Sequence, residues 1–313
     1  MPPQLWKNRK KINQSLLPKL NGKVIVIKEF TTILQKRRES RAEILFQFRE
    51  IYDGRLTCSF GTGDTVDWKG KVGVLLAVTP AIDNQLAFMQ ALGERFLYYR
   101  IENENDSDIA ELALANALGE SGNRNKMKKA VHSFLNCFDK DVITPHVDIS
   151  QVMKERLKAL SILCAKARTS VQRESWNKEI ILSQPKSELP ARLVKQLLLL
   201  GISLACVRGI STIDDNVYWV VKKVGCDSIP PLRVSVIYTV WKHTIIFENE
   251  WLTTDEIADH QNMSKSTVKY NLEDLKLLGL IDRKRVNSKT ASALWRLSKD
   301  LLSLIEKSRV FII

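Results

Sequence analysis

The stretch that most constrains the fold is Lys23-Val24-Ile25-Val26-Ile27-Lys28-Glu29-Phe30. Four consecutive β-branched apolar residues with no polar alternation predict a fully buried central strand. That strand delivers Lys28 and Glu29 to its carboxyl end, where open α/β sheets hold their ligands. Lys71 to Val78 is a second run of this kind, ending in Thr79-Pro80, and Phe96 to Ile101 is a third. Between the first two, Gln35 to Tyr52 sets Ala42, Leu45, Phe46 and Phe48 among charged residues, a helical pattern closed by Gly54. Leu56 to Phe60 and Thr65 to Trp68 flank a Gly-rich turn and predict a β-hairpin. This rhythm is that of a parallel sheet with crossover helices, so the first part of the chain is α/β.

From Ser107 onward the pattern is helical. Asp106 or Ser107 caps a run through Leu118 that stops at Gly119, and the basic segment Arg124 to Phe138 follows. Asp148 to Arg168 is strongly amphipathic. Pro190 opens the next helix in its first turn, where proline costs no hydrogen bond, and that helix ends near Gly209. Asp214 starts another with Gly225 as its stop, and Pro230-Pro231 open the last, Leu232 to Phe247.

The end of the chain carries a different signal. A capping threonine and an acidic first turn begin a helix near Trp251, and Ser264 begins a second that ends at Gly279. Ile257, Ala258, Val268, Leu272 and Leu275 can pack the two together as a helix-turn-helix. Leu280 to Arg285 and Ala293 to Leu297 then predict a two-stranded wing. From Gln261 to Lys299 there are nine Lys and Arg against three acids. Ser264, Lys265, Ser266, Thr267, Lys269 and Tyr270 occupy the amino-terminal end of the second helix, the end that enters a major groove. Arg283, Lys284, Arg285 and Lys289 suit phosphate contacts from the wing. The division expected is 1–105, 106–248 and 249–313.

The net charge of +13 favours a polyanionic partner. Five cysteines, odd in number and without a C-x-x-C pair, read as reduced thiols of a cytoplasmic protein. The longest apolar run, Leu197 to Val207, is interrupted by Gly201 and Ser203 and is too short to span a bilayer, so no membrane association is expected. The four histidines lack metal-ligand spacing, and no G-x-S-x-G elbow occurs. Zinc and serine-hydrolase chemistry have no support.

The order of elements in the first part resembles AAA+ P-loop ATPases, most closely the minichromosome-maintenance helicase branch with its pre-sensor hairpin. The resemblance implies that Ile27-Lys28-Glu29-Phe30 corresponds to Walker B, with Glu29 as the water-polarising glutamate. Thr79 falls at sensor 1, Arg95 at the arginine finger that reaches a neighbouring subunit, and Arg192, after Pro190, at sensor 2 of the helical lid. It also implies a ring-forming homo-oligomer. The last part is similar to the winged helix-turn-helix domains of transcription regulators and of helicases in the same branch.

Two departures from the family bear on chemistry. Lys28 stands where the magnesium-binding aspartate belongs, and a lysine repels that cation. No G-x-x-x-x-G-K-[ST] loop occurs in the chain, so nothing supplies the nest that grips phosphates. Either the chain is the C-terminal part of a longer ATPase or it has lost hydrolysis. ATP and magnesium enter only with an upstream Walker A segment, and no hydrolysis is expected from this chain alone. The function expected is that of a DNA-binding AAA+-related protein, helicase-like or a mobile-element replication factor. The alternative is a winged-helix transcriptional regulator that uses the ATPase-like body as an oligomerisation scaffold.

Overall fold

A computed structural model describes residues 17–59, 65–85, 95–101, 105–117, 119–138, 147–174, 176–247, 251–284 and 293–311. The chain divides into two compact units. The first comprises residues 1–96 and 169–185, and the second comprises residues 97–168 and 186–313.

In the first unit, β1 (Lys23–Ile27) leads to α1 (Thr31–Leu34) and α2 (Arg38–Tyr52). The hairpin follows as β2 (Arg55–Ser59) and β3 (Thr65–Lys69), antiparallel with Leu56 opposite Trp68. Its turn lies outside the described residues. β4 (Val72–Leu76) then returns parallel to β1, pairing Lys23 with Val72 through to Ile27 with Leu76. Gly54 is required where α2 turns into β2. Its φ is +76°, and a Cβ there would sit 3.0 Å from the Gly70 carbonyl oxygen. Phe30, Leu34 and Leu45 form the core, with Phe48 edge-on between Phe30 and Phe96 at centroid distances of 6.2 and 6.3 Å.

The strand expected to be fully buried is covered on one face only. Ile25 and Ile27 are half-buried, whereas Val24 and Val26 are 64% and 57% exposed and Leu75 beside them is 61% exposed. A strand is wrapped on both faces only when elements pack on both sides of its sheet, and among the described residues this sheet has two strands and one covered face.

The expected third strand is also absent, since residues 95–101 join no sheet among the described residues. Helical groups take their backbone donors instead: the Tyr98 N–H points to Ser228 Oγ at 3.3 Å and the Arg100 N–H to Asp227 Oδ2 at 2.7 Å. A ladder needs those same N–H groups, so donors spent on α7 and its cap are lost to a sheet.

The second unit begins with α3 (Asp106–Asn116), whose cap is Asn105, one residue earlier than expected, and α4 (Glu120–Asn136). Neither buries a residue. A helical layer follows: α5 (Gln151–Arg168), α6 (Pro190–Arg208), α7 (Asp215–Asp227) and α8 (Pro231–Ile246). Leu157, Leu160, Leu193, Leu197, Val217 and Val221 close its core. The Asp214 carboxylate caps α7 by accepting the Val217 N–H at 2.8 Å. Gly225 lies inside α7 instead of ending it. A Cβ there would meet Leu160 and the Cys164 sulfur of α5 at 3.3 Å, so the residue serves the close approach of two helices. By length and composition α6 could cross a membrane, yet its Leu193, Leu197, Gly201 and Ala205 stripe is buried and it packs on α5 and α7.

The chain continues through β5 (Leu252–Thr253), α9 (Thr254–Gln261), α10 (Lys265–Leu277), β6 (Ile281–Lys284), β7 (Leu294–Leu297) and α11 (Lys299–Ser308). β7 is the centre of a three-stranded antiparallel sheet in the order β5-β7-β6. α11 packs on α5. The Tyr218 hydroxyl donates to the Ser308 carbonyl at 2.6 Å, and Phe311 stacks with Tyr238 and Trp241, both at 5.3 Å. Burial, then the neighbouring Cys164, pushes the Tyr218 phenol well up, which keeps it a donor.

Candidate functional site

Two places hold most of the residues singled out in the sequence. The first is the carboxyl end of β1 and β4. Beyond their ladder the pairing extends by Ala77 N–H to the Ile27 carbonyl at 2.8 Å and Phe30 N–H to the Ala77 carbonyl at 3.0 Å. Glu29 and Thr79 therefore follow adjacent parallel strands, and both are exposed. The Thr79 and Thr31 hydroxyls are 3.3 Å apart, and the Thr79 N–H points at Thr31 Oγ1 at 3.4 Å. Thr32 Oγ1 donates to the Glu29 carbonyl at 2.8 Å, a local contact that turns the chain into α1.

Arg95 belongs to the same unit and has an internal partner. It donates to Asp53 Oδ2 at 2.8 Å, lies over the Tyr52 ring at 5.6 Å, and leaves 8% of its side chain exposed. Arg192 lies in the other unit, in the first turn of α6, with its guanidinium 3.5 Å from Glu188. Glu188 also accepts from the buried Arg168 at 2.5 Å. Among the described residues no group of three His, Cys, Asp or Glu side chains could hold a metal ion.

The second place is built on α9 and α10. Thr253 and Glu256 form a reciprocal capping box at the start of α9. Asn262 takes the left-handed conformation at φ 49°, which turns the chain sharply toward Ser264. Ser264 caps α10 by accepting the Thr267 N–H at 3.3 Å, and its hydroxyl is 2.8 Å from Thr267 Oγ1. Ile257, Ala258, Val268, Leu272 and Leu275 are all buried between the helices, the set the periodicity picks out. Trp295 is buried beneath them, donating through Nε1 to Thr254 Oγ1 at 2.9 Å.

This packing leaves the amino end of α10 outward. Ser264, Lys265 and Ser266 are exposed, while Thr267, Lys269 and Tyr270 are half-buried. Lys265 pairs with Asp255 of α9 at 3.1 Å, and the Lys269 ammonium is 5.9 Å from the Tyr270 ring. On β6, Arg283 lies over the Trp295 ring at 5.1 Å and Lys284 lies 5.9 Å from Trp251. Both cations remain exposed. Arg285 and Lys289 lie outside the described residues.

Arg296 and Trp251 are members that the sequence pattern alone does not single out. The Arg296 guanidinium lies 4.7 Å from the Trp251 ring centroid and its Nε is 3.3 Å from Asp282. The available signal is an arginine on the second strand of the expected wing, two residues from Leu294 and thus on the same face of β7. Behind α10, buried Arg233 of α8 donates to Asp274 at 3.0 Å and to the Ala167 carbonyl at 2.9 Å. The rings of His243 of α8 and His260 of α9 are in tilted contact, with centroids 4.3 Å apart. Lost hydration, and next the facing His260, hold His243 below its ordinary pKa.

No family model matches the chain, and no curated protein matches it. Among solved structures it is similar to the Aeropyrum pernix Orc1 protein in complex with DNA, at 12% identity and a TM-score of 0.23, over 96% of this chain. The chain spans 65% of the length of that protein's chain.

Proposed function

We propose that the chain is a DNA-binding AAA+-related protein, helicase-like or a mobile-element replication factor. Residues 249–313 act as a winged helix-turn-helix, 106–248 as a helical lid and 1–105 as an ATPase-like body. The observation that carries the reading is the outward amino end of α10. It offers Ser264, Lys265 and Ser266 to solvent in a segment of nine basic residues against three acids, and β6 adds exposed Arg283 and Lys284. A helix end with hydroxyls and cations fits a major groove, and cations on a strand pair suit the flanking phosphates.

Fluorescence anisotropy with duplex DNA at graded salt tests it. Arg283→Ala and Lys284→Ala should each weaken binding on every duplex and flatten the slope of log K against log salt by about 0.9 for each phosphate no longer neutralised. Unchanged affinity and slope in both variants would overturn the reading.

A second reading, a transcriptional regulator whose body only holds an oligomer together, is favoured by the Arg95–Asp53 pair. An arginine so engaged offers little to a neighbouring subunit. Lys28 beside Glu29 puts a cation where magnesium–nucleotide would need a carboxylate, so no hydrolytic step is derived. The purified chain should show no ATPase rate above background. A rate abolished by Glu29→Gln would sink the regulator reading and restore catalysis.

A further inference from the structure

Two helices of the second unit expose everything they carry. α3 and α4 bury no residue, yet α3 presents Ile109 and Leu112, and α4 presents Met127, Val131 and Phe134 at the spacing of one continuous stripe. Helices of about this length gain most of their stability from a packed apolar face, so both call for a partner. Their charges are opposite. α3 carries Asp106, Asp108 and Glu111 with no base, a net of −3; α4 carries Arg124, Lys126, Lys128 and Lys129 against Glu120, a net of +3. At 100° per residue, Asp108 lies about 40° from Leu112 at the edge of the α3 stripe and Glu111 about 100° from Leu112 on the same side, while Lys126 and Lys128 lie one on each side of the α4 stripe.

We infer that the partner is a second copy of this chain, with the acidic α3 of each copy packed along the basic α4 of the other about a two-fold axis. Each helix supplies the charge and apolar stripe the other lacks, so one self-complementary contact covers both. The inference does not depend on DNA binding, and it places the contact between copies outside the ATPase-like body.

Charge exchange tests it, with sedimentation velocity of the full chain as the readout. The wild-type chain should dimerise. Asp108→Lys with Glu111→Lys, or Lys126→Glu with Lys128→Glu, should each weaken self-association about tenfold or more, because each makes both contacts like-charged. An equimolar mixture of the two variants should restore a dimer, since every α3–α4 contact in the mixed pair is again between opposite charges. All four positions are exposed, and circular dichroism at matched concentration identifies any variant that has lost helix. For such a variant, Leu112→Ala with Phe134→Ala replaces it and should also leave monomers. A monomeric wild type, a dimer indifferent to the substitutions, or a mixture that stays monomeric overturns the inference. A monomer that co-sediments with anionic phospholipid vesicles reassigns the stripe of α4 to a lipid surface.

Discussion

The rings of His243 and His260 meet at a tilt, with centroids 4.3 Å apart, where α8 meets α9. Desolvation lowers the His243 pKa, followed by His260 and Lys242, while Glu256 acts in the opposite direction. An imidazole whose folded pKa lies below its unfolded value of about 6.5 binds protons more readily when unfolded. Its contribution is therefore full above about pH 6.5 and is lost as pH falls through the window beneath that value. Urea midpoints at pH 7.5 and 5.5 should differ more for the wild type than for His243→Gln. Equal differences would show that the ring does not sense acid. Neither histidine is informative in the sequence, because their spacing gives no hint that the chain brings their rings into contact.

At the scale of the element, the sequence is most legible where a local signal does the work. Asp214, Ser264 and the Thr253–Glu256 box mark helix starts through hydrogen bonds made within three residues, Pro190 marks one through its fixed φ in the first turn, and each stands where it was expected. Three of the failures have tertiary causes. Gly225 reads as a stop, since glycine disfavours helix, but its missing side chain admits α5. Residues 96–101 read as a strand from their apolar run, and only Asp227 and Ser228 at the end of α7 decide that their donors go elsewhere. The four-residue apolar run of β1 predicts two covered faces, and the register with β4 sends Val24 and Val26 to the uncovered side. α11 is absent from the expected elements although its signals are local: Ser298 caps it, and Leu301 and Ile305 mark its buried face. Glu29 and Thr79 follow strands that pair in parallel, while the partners of Arg95 and Arg192, Asp53 and Glu188, come from turns that no motif records.

At the scale of the molecule, the second unit is tied together by long-range contacts that cross from the helical layer to the terminal helices. Arg233 links α8, the end of α5 and Asp274 of α10 through one guanidinium with 7% of its side chain exposed. Arg233→Leu removes this pair and should cost roughly 3 kcal/mol, the lower end for breaking a buried pair. A chemical unfolding curve that shifts as one transition is expected. A shift confined to probes on α10 would show that the terminal helices unfold by themselves. The packing of α11 on α5, and of Phe311 on Tyr238 and Trp241, extends the same tie.

That closure sets an order on biosynthesis. The face of α5 that receives α11 is translated long before its cover, so during elongation it stays available to chaperones and to other nascent chains. The unit reaches its native packing only when α11 has cleared the ribosome. The parallel strands and hairpin near the amino terminus, whose partners are encoded close by, have no such wait.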